Sequence, residues 1–469
     1  MQQEFDVIII GAGPSGIFCA YELLRTQPSL RVLIIERGHA IEHRTCPKRI
    51  TGVCAHCNPC SITSGFAGAG AFSDGKLSLS PEVGGYLPDF LGPEQTRRLI
   101  RESDEIYLAF GADTHVYGID DPQAIAAIRA KARRAGLSLV ECPIRHLGTE
   151  EGGKLYQRMQ NHLISVGVTF AFDTAVADII IENGKAVGVV TGSGERYSAP
   201  SVVAAVGRVG SAWLSGICRQ HGIDTEVGTV DIGVRVELSN DTVSILNDEL
   251  YEAKLKYVTP TYRDKVRTFC TNPGGEVTSE VYDGDLMTVN GHAYKSTDRK
   301  TANTNFALLV SQRFTKPFKT PISYGRSIAR LANMLCDGSV MVQTLGDIRR
   351  GRRSTEARIA ANPIQPTMKD AVAGDLALAL PHRIMVDLME MIDALDKLAP
   401  GVAADETLLY GIEVKFYSNM VTVTPEFETN VKGLYAIGDG ASITHGLQQA
   451  SANGLAVARA ILSGHRSTR

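Results

Sequence analysis

Four apolar residues, Val7–Ile10, break off at a glycine. The run is too short for a helix and rich in β-branched side chains, which predicts a strand buried on both faces of a parallel sheet. Ser15–Arg25 then mixes apolar and polar positions as a helix does, and Arg31–Ile35 returns to a second buried strand. Gly11, Gly13 and Gly16 punctuate this strand–helix–strand unit at GxGxxG spacing. Gly11 permits the tight turn, Gly13 lets backbone approach a pyrophosphate, and Gly16 lets helix and strand pack closely. The helix start, with Pro14 and Ser15, offers free N–H groups and a positive dipole end to phosphates. The second strand ends in Glu36-Arg37, and Glu36, 25 residues after Gly11, is placed to accept from both hydroxyls of an adenosine ribose.

Downstream, helical spacing marks Pro93–Gly111, Asp121–Gly136 and Lys154–Val166. Alternating or continuous apolar runs predict strands at Leu137–Cys142, Val168–Phe172, Val176–Glu182, Ala186–Thr191 and Ser201–Val206, the last ending at Gly207. A final strand, Leu434–Ile437, leads into Gly438-Asp439, a loop, and a helix of small residues over Gln448–Leu462. With this late Gly-Asp the chain resembles the FAD-dependent oxidoreductases built like glutathione reductase and p-hydroxybenzoate hydroxylase. The resemblance implies a Rossmann-like FAD-binding domain in which Gly438 and Asp439 meet the ribityl–phosphate part of FAD. It also implies that Gly446, Leu447 and Gln448 open a helix aimed at the flavin N1/O2 edge, where a positive dipole end stabilises a reduced, anionic ring. By the same resemblance Val176 lies in the segment that packs the adenine, Gly207 closes a cofactor strand, and the loop Gly68–Lys76 faces the flavin through Gly70, Ala71, Phe72 and Ser73.

The fold class expected is therefore α/β, with the FAD domain interrupted in sequence and an inserted α+β substrate domain. The parts are residues 1–92, a helical insertion at 93–145, residues 146–214, the substrate domain at 215–404, and a last FAD segment at 405–469. The stretches GVCAHCNPC, GAGAFSDGKL, GGEV, VNG and KFYS narrow the resemblance to a poorly characterised group of FAD-dependent dehydrogenases of bacteria and archaea, nearly end to end.

Net charge is −3, which gives no sign of a nucleic-acid partner. No apolar run approaches the length of a membrane span, and the first strand starts too early for a signal peptide, so the expected location is cytoplasmic. There thiols stay reduced, and the nine cysteines point to chemistry or burial, not a disulfide framework. Only one dinucleotide fingerprint is present, so NAD(P)H is expected at most as a transient partner beside a small-molecule substrate. Homo-oligomerisation stays open.

Cys46, Cys54, Cys57 and Cys60 are spaced C-x7-C-x2-C-x2-C. Cys57-Asn58-Pro59-Cys60 has the gap and the proline of thioredoxin-type dithiols. Four such thiolates also suit zinc or an iron–sulfur cluster, and packing beside a flavin is the third reading; the expectation chosen is proximity to flavin without metal. For proton transfer and substrate anchoring the candidates are His445, after the Gly-Asp loop; Lys415, sharing a strand face with Glu413; and Cys270 and His292, beside glycine-rich turns. Arg349–Arg353 is a basic cluster that reads either as a lure for anions or as a solvated surface. The expected activity is two-electron hydride transfer between a small molecule and flavin: dehydrogenation of C–N or C–C, or reduction of C=C or C=N. A flavin–cysteine redox relay to a thiol or protein partner and a non-catalytic flavin-binding protein are the alternatives.

Overall fold

The computed structural model describes residues 3–47, 55, 57–72, 75–250, 252–282, 286–293, 297–312, 314–315, 317–318, 320–416 and 419–467. They fall into two compact units. The first lies within 1–116, 143–226 and 418–469, the second within 117–142 and 227–417.

The first unit is built on a five-stranded parallel sheet in the order Leu434–Ala436, Ser201–Ala204, Val7–Ile10, Val32–Ile35, Thr169–Ala171. Val7–Ile10 and Val32–Ile35 are buried at every position, as the unbroken apolar runs require of strands covered on both faces. The helix Pro14–Thr26 follows the first strand, and the C-terminal helix Leu447–Ser467 packs along it. Gly454 makes that packing close, since a Cβ there would lie 2.3 Å from the Ser15 carbonyl oxygen. A smaller sheet of Val176–Glu182, Lys185–Thr191, Arg196–Ser198 and Gln3–Glu4 accompanies the parallel one. The fold is thus α/β with a Rossmann-like domain interrupted in sequence.

The second unit carries an eight-stranded sheet. Its order is Val372–Ala373, Met341–Thr344, Leu408–Phe416, Val230–Ser239, Asn303–Gln312, Lys265–Asn272, Lys254–Val258, Ser138–Val140. One face of the central strand Val230–Ser239 presents Val230, Ile232, Val234 and Val236 to an aliphatic core shared with the helix His382–Leu398. The alternate positions are Asp231, Gly233, Arg235 and Glu237, and they too are buried. An antiparallel hairpin, Glu276–Tyr282 with Leu286–His292, has its second strand beside this sheet.

The division differs from the one expected at 93–145 and at 405. Helix Pro93–Ala109 belongs to the first unit, whereas helix Pro122–Arg134 and strand Ser138–Val140 belong to the second. Strand Leu408–Phe416 also stays in the second unit, pairing along Val230–Ser239 with Asp231 opposite Lys415 and Gly233 opposite Glu413. It lies between Met341–Thr344 and Val230–Ser239, and its Glu413 has opposite charges in Arg235 and Lys415.

Candidate functional site

The fingerprint glycines adopt three different geometries. Gly11 has φ +106°, and a Cβ there would come within 2.7 Å of the Ala205 carbonyl oxygen. At Gly16 a Cβ would meet the Gly11 carbonyl oxygen at 2.1 Å, so helix and strand touch through backbone. Gly13, the residue before the helix, has no described residue within 4 Å of a Cβ position. It faces open space at a helix N-terminus whose first turn has no acidic residue and no side-chain cap. Such an end concentrates unpaired N–H donors and suits a phosphate.

Glu36 lies directly beneath. It is 7% exposed, and its carboxylate accepts from three backbone N–H groups: Ala12 at 2.9 Å, Gly38 at 2.9 Å and Gly65 at 2.9 Å. A carboxylate has about four acceptor sites, so it ties three segments together and retains capacity for a ribose hydroxyl. The neighbouring Arg37 donates to Ser64 Oγ at 3.2 Å. The turn before Val176 joins the same corner, because the Thr174 N–H donates to the Glu36 carbonyl at 3.0 Å. Val176 itself is buried.

The loop from Gly65 to Phe72 returns to the glycines. The Ala67 N–H donates to the Ala12 carbonyl at 2.7 Å, and a Cβ on Gly68 would lie 3.6 Å from Gly13 Cα. Gly68–Phe72 then forms a single 3-10 turn, with Ala71 buried and Gly70 packed so that a Cβ would strike Leu447. Ser73 lies outside the described residues. One side chain that the sequence pattern does not announce holds this loop. Arg44, 4% exposed, donates to the carbonyls of Ser61 at 2.8 and 3.0 Å, Ile62 at 2.9 Å, Phe66 at 2.5 Å and Gly68 at 2.7 Å. Its guanidinium also stands 4.7 Å from the centre of the Phe72 ring. Burial pushes it down to about 10, against the pull of Glu36 and Cys60, so it stays cationic near neutral pH.

Gly438 and Asp439 meet the start of the first helix. A Cβ on Gly438 would come 2.8 Å from Ser15 Oγ, and its N–H donates to Asn453 Oδ1 at 3.0 Å. Asp439 accepts from Thr444 Oγ1 at 2.8 Å and from Arg208 Nε at 3.3 Å. Gly207, just before Arg208, has no described residue within 4 Å of where a Cβ would stand. His445 is half-buried, donates its backbone N–H to Gly84 at 2.7 Å and packs edge-on to Tyr86, ring centres 5.2 Å apart. Gly446 lies against Gly84, and Gln448 is buried with its amide donating to the Ile100 carbonyl and to Ser103 Oγ. Within the first unit the structure therefore gathers Gly11, Gly13, Pro14, Ser15, Gly16, Glu36, the Gly65–Phe72 loop and Gly438-Asp439 around one helix N-terminus.

Of the cysteine set, Cys54 lies outside the described residues. Cys46 is half-buried, and Cys57 and Cys60 are exposed. Burial would raise the Cys60 thiol, but hydrogen bonds from the Ile62 and Thr63 backbone, the Thr63 hydroxyl and the Arg44 charge outweigh it and lower its pKa. Among the described residues no three His, Cys, Asp or Glu side chains are grouped to hold a metal ion.

Lys415, Cys270 and His292 belong to the second unit, and the first two touch one buried ion pair. Arg235 and Glu413 are fully buried and paired two-fold, Nε to Oε2 at 2.8 Å and Nη2 to Oε1 at 3.0 Å. Arg235 further donates to Asn305 Oδ1 at 2.7 Å and to the Cys270 carbonyl at 3.3 Å. Lys415 Nζ stands 3.2 Å from Glu413 and 3.6 Å from Glu280. The glycines of GGEV and VNG serve this cluster. A Cβ on Gly291 would lie 2.2 Å from Asn305 and 2.3 Å from Arg235, and one on Gly275 would lie 2.4 Å from the His292 carbonyl oxygen. Only backbone without side chains fits over the guanidinium there. Next to it, Glu237 accepts from Asn303, Thr367 and the buried Tyr410 hydroxyl. Burial and that carboxylate hold the Tyr410 phenol well above its ordinary range. The Arg349–Arg353 cluster is engaged within the unit: Arg349 pairs with Asp393, Arg350 with Asp405 and Arg352 with Asp347, so most of its charge is already matched.

No helix among the described residues is long and apolar enough to cross a membrane. Residues 229–416 match a family described as FAD-dependent protein, C-terminal domain-like, and residues 2–42 match the Thi4 family. An uncharacterized protein of Clostridium beijerinckii is 24% identical over 476 residues, covering 97% of this chain and 80% of its own length. Among solved structures, quinol fumarate reductase of E. coli is 13% identical with a TM-score of 0.42, covering 100% of this chain and 72% of that one. The L-proline dehydrogenase of P. horikoshii is 11% identical with a TM-score of 0.39, covering 99% of this chain and 95% of that one. Glycine oxidase from Geobacillus kaustophilus is 13% identical with a TM-score of 0.38, covering 98% and 95%.

Proposed function

We propose that this chain is an FAD-dependent oxidoreductase that moves a hydride equivalent between a small-molecule substrate and flavin. One observation carries the reading: the uncapped helix start at Gly13 faces open space, with the Glu36 carboxylate fixed beneath it and Gly68 and Gly438 lining its approach. A cradle of that kind fits a pyrophosphate and its ribose. The match of residues 229–416 to FAD-dependent proteins supports the same cofactor. FAD, when bound, supplies the two-electron chemistry.

The residues of this chain then have distinct tasks. The N–H groups at the start of the Pro14–Thr26 helix receive the phosphates, Glu36 accepts from the ribose, and Asp439, steadied by Thr444 and Arg208, orients the ribityl–phosphate segment. Arg44 keeps the Gly65–Phe72 loop folded against Gly13. His445 is the candidate to hold or move a proton at its imidazole. Residues 227–417 of the second unit supply the substrate-binding side chains, with Lys415 as an anchor for a substrate carboxylate. NAD(P)H, if it serves, meets the enzyme transiently, since a single fingerprint is already committed to FAD.

The test is direct. The purified chain is denatured, the released cofactor identified by chromatography, and the native protein then screened anaerobically against metabolite pools for bleaching of the flavin spectrum. FAD at about one per chain is expected. Protein that is colourless and takes up no added FAD would end the reading.

A further inference from the structure

The eight described cysteines divide by environment. Cys19, Cys218 and Cys336 are buried, and burial raises all three thiols, Cys218 to about 11. Cys57 and Cys60 are exposed and separated by only Asn58 and Pro59. The turn that follows Cys60 is closed by the Thr63 and Ser64 N–H groups donating to the Cys60 carbonyl at 3.1 and 2.9 Å. That turn brings the Ile62 and Thr63 N–H groups and the Thr63 hydroxyl to the Cys60 sulfur. Behind it, the Arg44 guanidinium is fixed on the Ser61 and Ile62 carbonyls. Donors and a fixed cation around an exposed sulfur favour the thiolate, the nucleophilic form.

We propose that Cys57 and Cys60 form a dithiol–disulfide pair that exchanges with small-molecule disulfides, with Cys60 as the attacking sulfur. The lowered thiol pKa of Cys60 agrees with this assignment. The Cys60 thiolate attacks one sulfur of a disulfide RSSR, the S–S bond breaks, and RS⁻ leaves and takes a proton from water. Cys57 then gives its proton to solvent and attacks the Cys60 sulfur of the mixed disulfide, releasing the second RS⁻, which is protonated in turn. The pair loses two electrons and RSSR gains them; excess RSH drives the same steps backwards. The exchange needs only these two thiols, so it goes beyond the flavin reading and does not rest on it.

The purified full-length protein is equilibrated in mixtures of oxidised and reduced glutathione, quenched in acid, alkylated and mapped by peptide mass spectrometry. Flavin content is read from the same samples, so loss of flavin and failure of exchange are separate results. A reversible Cys57–Cys60 disulfide is expected. Cys57→Ser should accumulate a glutathione adduct on Cys60, and Cys60→Ser should lose both species. Without any variant, iodoacetamide near neutral pH should alkylate Cys60 about tenfold faster than Cys57, because donors and the Arg44 charge surround the Cys60 sulfur. No Cys57–Cys60 disulfide at any glutathione ratio, pairing to Cys46 or Cys54 instead, or a first adduct on Cys57 would overturn the proposal. So would about one zinc, or several irons, held per chain by these cysteines.

Discussion

Replacing Arg44 by Met tests whether one buried cation holds the cofactor loop. Methionine keeps most of the stem that packs beside Gly65 and under Phe72, and removes only the donors. Four carbonyl oxygens lose their partner, those of Ser61, Ile62, Phe66 and Gly68. Hydrogen bonds from a charged donor are worth about 1.5–3 kcal/mol each, and a buried acceptor left bare costs about 1–3 kcal/mol. The bond to Phe66 is fully buried, whereas the other three acceptors are part-buried and regain water. The guanidinium also no longer has to be desolvated, which offsets part of the loss. The net destabilisation should be about 2–4 kcal/mol, or a fall in Tm of roughly 5–12 °C for a unit of this size. Because the group stays charged up to about pH 10, the effect should be flat around neutral pH. The loop leans on Gly13, so flavin should be lost as well, and added FAD should raise the variant's Tm more than the wild type's. Arg44→Lys keeps the charge without the fork that reaches four carbonyls and should fall between the two. Thermal unfolding with and without FAD, together with the flavin-to-protein ratio, measures all of this. An Arg44→Met protein that keeps full flavin and unfolds within about 1 °C of wild type would refute the role given to Arg44.

Gly13→Val should fold, since no described residue stands near its Cβ position, yet purify without FAD; full flavin occupancy would sink the cradle. Glu413→Gln leaves Arg235 buried without its charge partner and should cost about 3–5 kcal/mol in urea unfolding, while Arg235→Met with Glu413→Leu should recover a large part of that loss. Asp387 is fully buried in the helix His382–Leu398, and burial, with the Asp264 carboxylate beside it, raises its carboxyl to about 6 against the opposing pull of Thr259 and Arg383. The folded chain thus holds this proton more tightly than the unfolded one, so the stability that Asp387 contributes is fully present below about pH 4 and is lost as pH rises from about 4 to about 6. Asp387→Asn should flatten that slope and be up to about 3 kcal/mol more stable near pH 8, as read from Tm against pH.

The cradle was legible because its chemistry is local. Three glycines, a strand, a helix and an acid at the next strand end fall within 31 residues, from Asp6 to Glu36, and each has its own steric reason. Arg44 was not legible. It stands among His43, Lys48 and Arg49, in a stretch that reads as solvated, and its partners are backbone carbonyls, which leave no trace in residue identity. The buried ion pair was hidden differently. In VDIGVRVE, Asp231, Arg235 and Glu237 alternate with valine and isoleucine as on a strand with one wet face. What seals that face is a distant hairpin, and its signal was present as GG and NG beside short strands. Gly275 and Gly291 read as turn residues, whereas their service is to let backbone approach Arg235 and Asn272.

This sealed layer bears on how the second unit is to be probed. Lys415 shares Glu413 with Arg235, Cys270 offers Arg235 its carbonyl, and His292 presses its carbonyl on Gly275. Removing Lys415 therefore takes a cation away from a carboxylate that still has its two-fold partner, so Glu413 remains neutralised and the sheet should hold. Removing Glu413 instead strands Arg235, which has no exposure at all, and leaves Lys415 with Glu280 alone. A kinetic loss in Lys415→Ala at unchanged Tm would then point to substrate anchoring, whereas the same loss in Glu413→Gln would follow from a disturbed sheet. KM against kcat separates the cases further: an anchor for a substrate carboxylate raises KM first. If Lys415→Ala instead lowers Tm by as much as Glu413→Gln does, the lysine belongs to the ion pair's framework, and the substrate anchor has to be sought elsewhere.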